Sequence, residues 1–206
     1  MLKLLVGTKK GMTQIFKDTL AVPVTLIEII PNTILKATKN ENTDTTCVIL
    51  AYGKEKKENK IKKPILGQIK KAKTLQPKIK EFQVNLAQDV ELKIGDKVAV
   101  DNFAKGDKVA VSGITIGRGF QGVIKRHGFS RGPESHGSHH HRRPGSIGMC
   151  SFPARVLKGK KMPGRMGARQ VTIKNLEVVK IEADHNLLYL KGAVPGANGN
   201  FIVVKG

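Results

Sequence analysis

The sequence predicts a mainly β protein: a β-barrel with a small α/β insertion and a long basic loop extension. Three features point there. Short runs rich in β-branched residues, closed by glycine or by Asp/Asn turns, recur at both ends of the chain. The hexapeptide Gly-Asp-Lys-Val-Ala-Val occurs twice, at 95–100 and 106–111, a spacing that suits short antiparallel strands. Between Arg118 and Arg169 only 14 of 52 residues are apolar, so the core has to come from the flanks.

Taken in order, Leu2 to Val6 reads as a short strand ended by Gly7, and Leu20 to Ile30 as a strand whose Pro23 places it near an edge. Thr45 to Tyr52 is a third strand, closed by Gly53. Eleven lysines fill 54–80, where Pro64 to Ala72 fits a short helix with proline in its first turn. Phe82 to Leu86 reads as the next strand. The lysine-rich stretch 31–81 is expected to be an insertion forming its own small lobe. Each Gly-Asp of the repeated hexapeptide opens a strand, and these two strands are expected to be neighbours; two copies are too few for a repeat architecture. Past Arg169 the pattern resumes at Val171–Ile173, Leu176–Ile181, Leu187–Leu190 and Phe201–Val204, with turns at Asp184-His185-Asn186 and around 196–199. The expected organisation is a barrel core from 1–30, 82–117 and 170–206, the insertion at 31–81, and an extension at 118–169.

The net charge is +21, and twelve cations against Glu134 give 118–169 alone +11. All eight arginines lie in that stretch, with five of the six histidines and ten glycines, while the other 154 residues carry 25 lysines and no arginine. Charge alone does not require this segregation. A guanidinium is a flat fork of donors that grips phosphate bidentately and stacks on bases, which an ammonium cannot do. Such a field repels itself unless a polyanion neutralises it. An anionic membrane would need an amphipathic helix, which ten glycines and Pro133, Pro144, Pro153 and Pro163 oppose. Structured RNA is therefore the expected partner. Aromatic residues are only 4% of the chain, which argues for a folded RNA bound by backbone and shape over stacking on free strands.

Cys47 and Cys150 form no CxxC pattern and point to a reducing compartment. Leu4 to Val6 is too short for a secretory signal, and Pro23, Thr25 and Glu28 interrupt the longest apolar run, so a soluble cytoplasmic protein without a membrane partner is expected. A loop of some fifty residues pays about 1–2 kcal/mol of backbone entropy per residue on ordering. With almost no apolar burial to offset that cost, 130–155 is expected to be mobile until it meets its partner.

Gly117 to Gly122 matches G-x-G-x-x-G, but a dinucleotide site needs a helix opening there and an acid about 20 residues later. Gly128 stops any helix, and the positions near 140 are histidines. The glycines instead let the backbone approach phosphate, with Arg118, Lys125 and Arg126 closing on it. His136, His139, His140 and His141 lack the cysteine pair or carboxylate of a zinc site. Beside Arg142 and Arg143 they suit donation to phosphates or stacking on bases, with plain solvation as the alternative. The run Lys158-Gly159-Lys160-Lys161-Met162-Pro163-Gly164-Arg165-Met166-Gly167 is either a solvated basic loop or an RNA contact, and the arginine segregation favours contact. The expected RNA-binding set also includes His127, Arg131, Arg155 and Arg169. Lysines 54–80, mixed with Glu55, Glu58 and Glu81, fit a solvated or generally phosphate-attracted face equally well. No catalytic residue is expected: Glu134 is the sole carboxylate near the cations, and Cys150 has no orienting third group beside His141. No metal, cofactor or small-molecule substrate is expected.

Read together, Gly7 to Phe16 (GTKKGMTQIF), Gly117 to Val123 (GRGFQGV), Arg142 to Gly148 (RRPGSIG), Lys158 to Gly167 (KGKKMPGRMG), Asn175-Leu176 and Lys191 to Gly196 (KGAVPG) closely resemble, in that order, the bacterial-type ribosomal protein L3 family of the large subunit. The resemblance spans nearly the whole chain. It implies a closed β-barrel with a small α/β insertion and an extension reaching into the ribosome. It implies binding to large-subunit ribosomal RNA, contact with neighbouring large-subunit proteins, and a role early in subunit assembly. It also implies a tip near the peptidyl transferase centre that supplies no catalytic group. By matching position the tip is Gly145, Ser146, Ile147, Gly148, Met149, Cys150, Ser151, Phe152 and Pro153, with Arg118–Arg131 and Arg155–Arg169 as stems. Many bacterial members carry a methylated glutamine just after Gly-Ser-Ile-Gly; here Met149, Cys150 and Ser151 stand there, so no such methylation is expected, and an exposed Cys150 invites oxidation. Two other classes compete: a free RNA chaperone or chromosome-compacting factor, which would bind many nucleic acids, and a zinc- or nucleotide-dependent RNA enzyme, which would carry stoichiometric metal or nucleotide.

Overall fold

The computed structural model describes residues 2–17, 19–39, 45–84 and 92–206. These fall into two compact units, one from residues up to 114 together with 170–206, the other 115–169.

In the first unit six strands pair in a closed ring: β1 (Leu4–Lys17), β12 (Phe201–Lys205), β7 (Lys108–Ile114), β10 (Gln170–Glu182), β11 (Leu187–Lys191) and β2 (Leu20–Glu28), which returns to β1. Every pair is antiparallel. Closure leaves no unpaired edge. Alternation along the strands buries Val109 and Val111, Leu188 and Leu190, and Ile202 and Val204 in one core. Contrary to expectation, β1 does not end at Gly7. A Cβ there would lie 2.6 Å from Ile27 Cγ2 and 2.9 Å from the Glu28 carbonyl oxygen, so this glycine admits the neighbouring strand at close range instead of making a turn. The two runs expected after Arg169 are one strand, β10. The interruption at Lys174-Asn175 is a bulge, with the register shifting between Ile173 and Leu176 and Asn175 at φ 59°.

A second sheet has the order β5 (Lys78–Val84), β4 (Thr46–Tyr52), β3 (Asn32–Lys39), β6 (Lys97–Val98). Strand β3 has no counterpart among the expected elements, because Asn32, Thr33, Lys36, Thr38 and Lys39 break its apolar pattern. The strand expected at 82–86 runs earlier, over Lys78–Val84; residues 85 and 86 lie outside the described residues. It pairs with β4 and so does not belong to the barrel. The insertion is also no separate lobe. Ile34, Val48 and Leu50 share the barrel's core, while Leu35 and Ala51 turn the other way and pack with Ile61, Ile69 and Ala72 around α1 (Lys63–Ile69). The sheet thus lies between barrel and helix, using both faces of a period-two strand.

The repeated hexapeptide does not make neighbouring strands. Its first copy gives β6, paired with β3, and its second opens β7 in the ring. The repeat encodes a turn. Gly95 and Gly106 both have φ above 90°, and the Asp96 and Asp107 carboxylates accept the amides of Lys93 and Ala104. One turn then donates from Gly95 to the Ile34 carbonyl, the other from Gly106 to the Val178 carbonyl. What closes and follows each copy decides the sheet: a 3-10 turn, Val100–Asn102, begins at the last residue of the first, whereas Ser112-Gly113-Ile114 prolongs the strand after the second. The Lys3 ammonium, 2.7 Å from Asp107, and the Ala104 amide hold that carboxyl below the ordinary carboxylate range.

At the crossing from ring to second sheet, the buried Asn32 amide stands in for a strand. Its Oδ1 accepts the Val6 N–H at 2.6 Å, and its Nδ2 donates to the carbonyls of Val6 (3.1 Å) and Ile30 (2.8 Å). Pairing of β1 with β2 begins only at Thr8 and Glu28, so among the described residues no strand pairs with Val6 on that side. Orphaning two buried backbone groups costs about 1–3 kcal/mol each. Asn32→Ala is therefore expected to lower the unfolding free energy by about 2–6 kcal/mol in denaturant titration, and the exposed control Thr38→Ala by less than about 0.5 kcal/mol.

Candidate nucleic-acid interface

Residues 115–169 are held by backbone pairing. Thr115 donates to the Arg169 carbonyl at 3.0 Å, Ala168 to Thr115 at 3.2 Å, Arg118 to Met166 at 2.9 Å and Met166 to Gly119 at 2.9 Å. The short strands β8 (Phe120–Gln121) and β9 (Gly164–Arg165) extend this ladder. Helix α2 (Val123–His127) follows β8 and ends after five residues at Gly128, in the left-handed region, as the G-x-G-x-x-G reading anticipates. Val123 is the one residue of 115–169 that is fully buried.

Two expected RNA-binding side chains are half-buried and organised. Arg126 donates to the Met162 carbonyl at 2.6 Å, and His127 Nε2 lies 3.0 Å from the same oxygen. A Cβ on Gly164 would sit 2.7 Å from the Arg126 guanidinium, so glycine makes room for it. Arg126, His127 and the run Arg165–Arg169 line a cleft of about 440 Å³.

The remaining predicted residues are exposed: Arg118, Lys125, Arg131, His136, His139, His140, His141, Arg142, Arg143, Arg155, Lys158, Lys160, Lys161, Arg165 and Arg169. Glu134 pairs with Arg131, so the lone acid of the stretch is consumed within it. His141 Nδ1 lies 2.8 Å from the Pro133 carbonyl, and Gly132 donates to the His141 carbonyl at 3.0 Å. Among the described residues Arg118, Arg142, Arg143, Arg155, Arg165 and Arg169 have no protein acceptor for their guanidinium groups. In the predicted tip, Ile147, Gly148, Met149 and Pro153 face Arg155, Leu157 and Lys160 around a hollow of about 150 Å³, Ser146 Oγ donates to the Gly148 carbonyl, and Cys150, Ser151 and Phe152 are exposed.

Sequence reasoning passed over Phe120 and named Phe152 only as a tip residue; they are 75% and 85% exposed within this basic surface and offer faces for bases. Their scarcity, not their placement, was the visible signal. Among the described residues no three His, Cys, Asp or Glu side chains are placed to hold a metal ion, and no helix is long and apolar enough to cross a membrane.

A family model described as Ribosomal protein L3 matches residues 7–187. The chain belongs to the ribosomal protein L3 family. It is 47% identical to the large ribosomal subunit protein uL3 of Alkaliphilus metalliredigens over 99% of this chain and 97% of that protein. It is 48% identical to that of Pelotomaculum thermopropionicum (98% and 95%) and 48% identical to that of Borreliella burgdorferi (98% and 97%).

In this L3 family member the stem ladder depends on Gly167. Its φ is 74°, and a Cβ would drive into the Ile116 carbonyl. Gly159, at φ 80° but with open space around it, isolates the cost of conformation alone. Gly167→Ala is expected to speed amide exchange of Met166 and Arg118 by roughly tenfold or more, as strain of about 1–3 kcal/mol opens the stems. Gly159→Ala should leave those two amides unchanged.

Proposed function

We propose that the protein is a structural constituent of the large ribosomal subunit that binds large-subunit ribosomal RNA and performs no catalysis. The carrying observation is the set of six guanidinium groups without protein acceptors, in a segment that buries one side chain and pairs its only acid internally. The relatives' shared name, large ribosomal subunit protein, supports the same reading. Under it, 118–169 is the RNA-penetrating extension, residues 145–153 its tip beside the peptidyl transferase centre, and the unit formed by residues up to 114 together with 170–206 the docking body. The body docks early in subunit assembly in the cytoplasm, next to other large-subunit proteins. The distal arm, about 130–155, then orders in ribosomal RNA junctions. Each charge-assisted hydrogen bond contributes about 1.5–3 kcal/mol, and together they offset the ordering entropy.

Replacing Arg142 and Arg143 with lysine keeps the charge and removes the fork. The double variant is expected to bind large-subunit ribosomal RNA at least about tenfold more weakly, one charged hydrogen bond's worth, and to be under-represented in the large-subunit fraction on sedimentation. Undiminished subunit assembly and peptide transfer would refute the role assigned to these guanidinium groups. Wild-type binding should also weaken as salt rises, because counterions released from the RNA drive it. Binding spread evenly over unrelated RNAs and DNA, without recovery in large subunits, would instead favour a free nucleic-acid-binding protein.

A further inference from the structure

We propose that the cleft between α2 and the Arg165–Arg169 run seats a single ribonucleotide of an RNA strand, with its phosphate gripped by Arg165 and Arg169 and its 2′-hydroxyl donating to Nδ1 of His127. This rests on the RNA-binding reading above and deepens it, naming what one part of that surface recognises.

The Met162 carbonyl oxygen can only accept, so the His127 nitrogen 3.0 Å from it, Nε2, carries the proton. In the neutral ring Nδ1 is then an acceptor, and no described residue meets it. Arg126 donates to the same carbonyl at 2.6 Å, so one backbone oxygen fixes both the ring and the first guanidinium. Gly164, whose Cβ would strike that guanidinium, is the space that allows it. The same cleft is lined by two further cations, Arg165 and Arg169, whose forks have no protein partner. No carboxylate lines the cleft, and the Met166 thioether gives it a soft apolar patch for a base. Its volume of about 440 Å³ suits one nucleotide and is too small for a duplex. An acceptor lining one cleft with two phosphate forks is suited to telling ribose from deoxyribose, since only ribose brings a 2′-hydroxyl donor.

The full-length, nitrogen-15-labelled protein is titrated with a uridine tetranucleotide carrying a 5′-phosphate and with its deoxyuridine counterpart. The ribo probe is expected to bind about threefold to tenfold more tightly, one hydrogen bond's worth, and to shift His127 Nδ1 where the deoxy probe does not. His127→Gln keeps a donor for the Met162 carbonyl; it should abolish the preference by bringing the ribo probe to the affinity of the deoxy probe. Arg165→Lys with Arg169→Lys should weaken both probes alike. Equal affinities in the wild type, an unmoved Nδ1, or a preference that survives His127→Gln overturns the inference. Binding to a large-subunit ribosomal RNA fragment is measured in parallel: if that binding is absent the wider reading fails, whereas rRNA binding without ribose discrimination fails this site alone.

Discussion

A charge of +11 within 52 residues, with one carboxylate to set against it, is the constraint to which the rest of 118–169 answers. Glu134 is already spent on Arg131, and Arg126 on the Met162 carbonyl. Apolar burial cannot counter the remaining repulsion, because only Val123 is buried. What holds the segment is backbone pairing between its two ends, and that pairing is short. The stems are therefore structured by the chain itself, whereas under the proposed function the stretch beyond them draws on an outside polyanion.

The ring supplies what such a segment lacks. Ile114 and Gln170 are register partners in adjacent strands, so the excursion leaves and returns at a point the barrel already fixes. Loop closure is thereby met by the barrel's own core. The same end of the ring, where a Cβ on Gly196 would lie 3.0 Å from the Ile114 carbonyl oxygen, is locked by polar groups that the family words contain. Lys9 is buried, and its ammonium donates to the carbonyls of Val194 and Gly196, each at 3.0 Å, while Thr25 Oγ1 donates to the Gly192 carbonyl. The words around Lys9 and from Lys191 to Gly196 are thus two halves of one clasp. A lysine ammonium meeting carbonyls instead of a carboxylate is a plain solution where the turn already presents its oxygens inward.

Local signals were legible and pairing was not. The strands ending in Gly53, opening after Arg169 and closing the chain have strong β-branched alternation. The helix expected at 64–72 has proline in its first turn and is α1 (Lys63–Ile69) followed by a 3-10 turn at Lys70–Ala72, and Gly128 stops α2 after five residues. Strand β3 was hidden because its polar residues serve the crossing at Asn32. The repeated hexapeptide misled because identical turn chemistry docks on two different sheets. Gly7 and Gly167 carry the same letter as turn glycines, yet their role is set by a neighbour's backbone distant in sequence. For the interface, composition located the segment. The shared Met162 carbonyl, which joins Arg126 to His127, had no sequence signal, since any residue supplies a carbonyl.

The central claim is that the distal arm takes its structure from a polyanion and the stems take theirs from the chain itself. Hydrogen–deuterium exchange on the full-length protein, free and within purified large subunits, tests it most directly. Amides of 130–155 are expected to exchange at near-unprotected rates in the free protein and to become protected in the subunit, with Arg118 and Met166 protected in both. Strong protection of 130–155 in the free protein, without nucleic acid, would contradict the account.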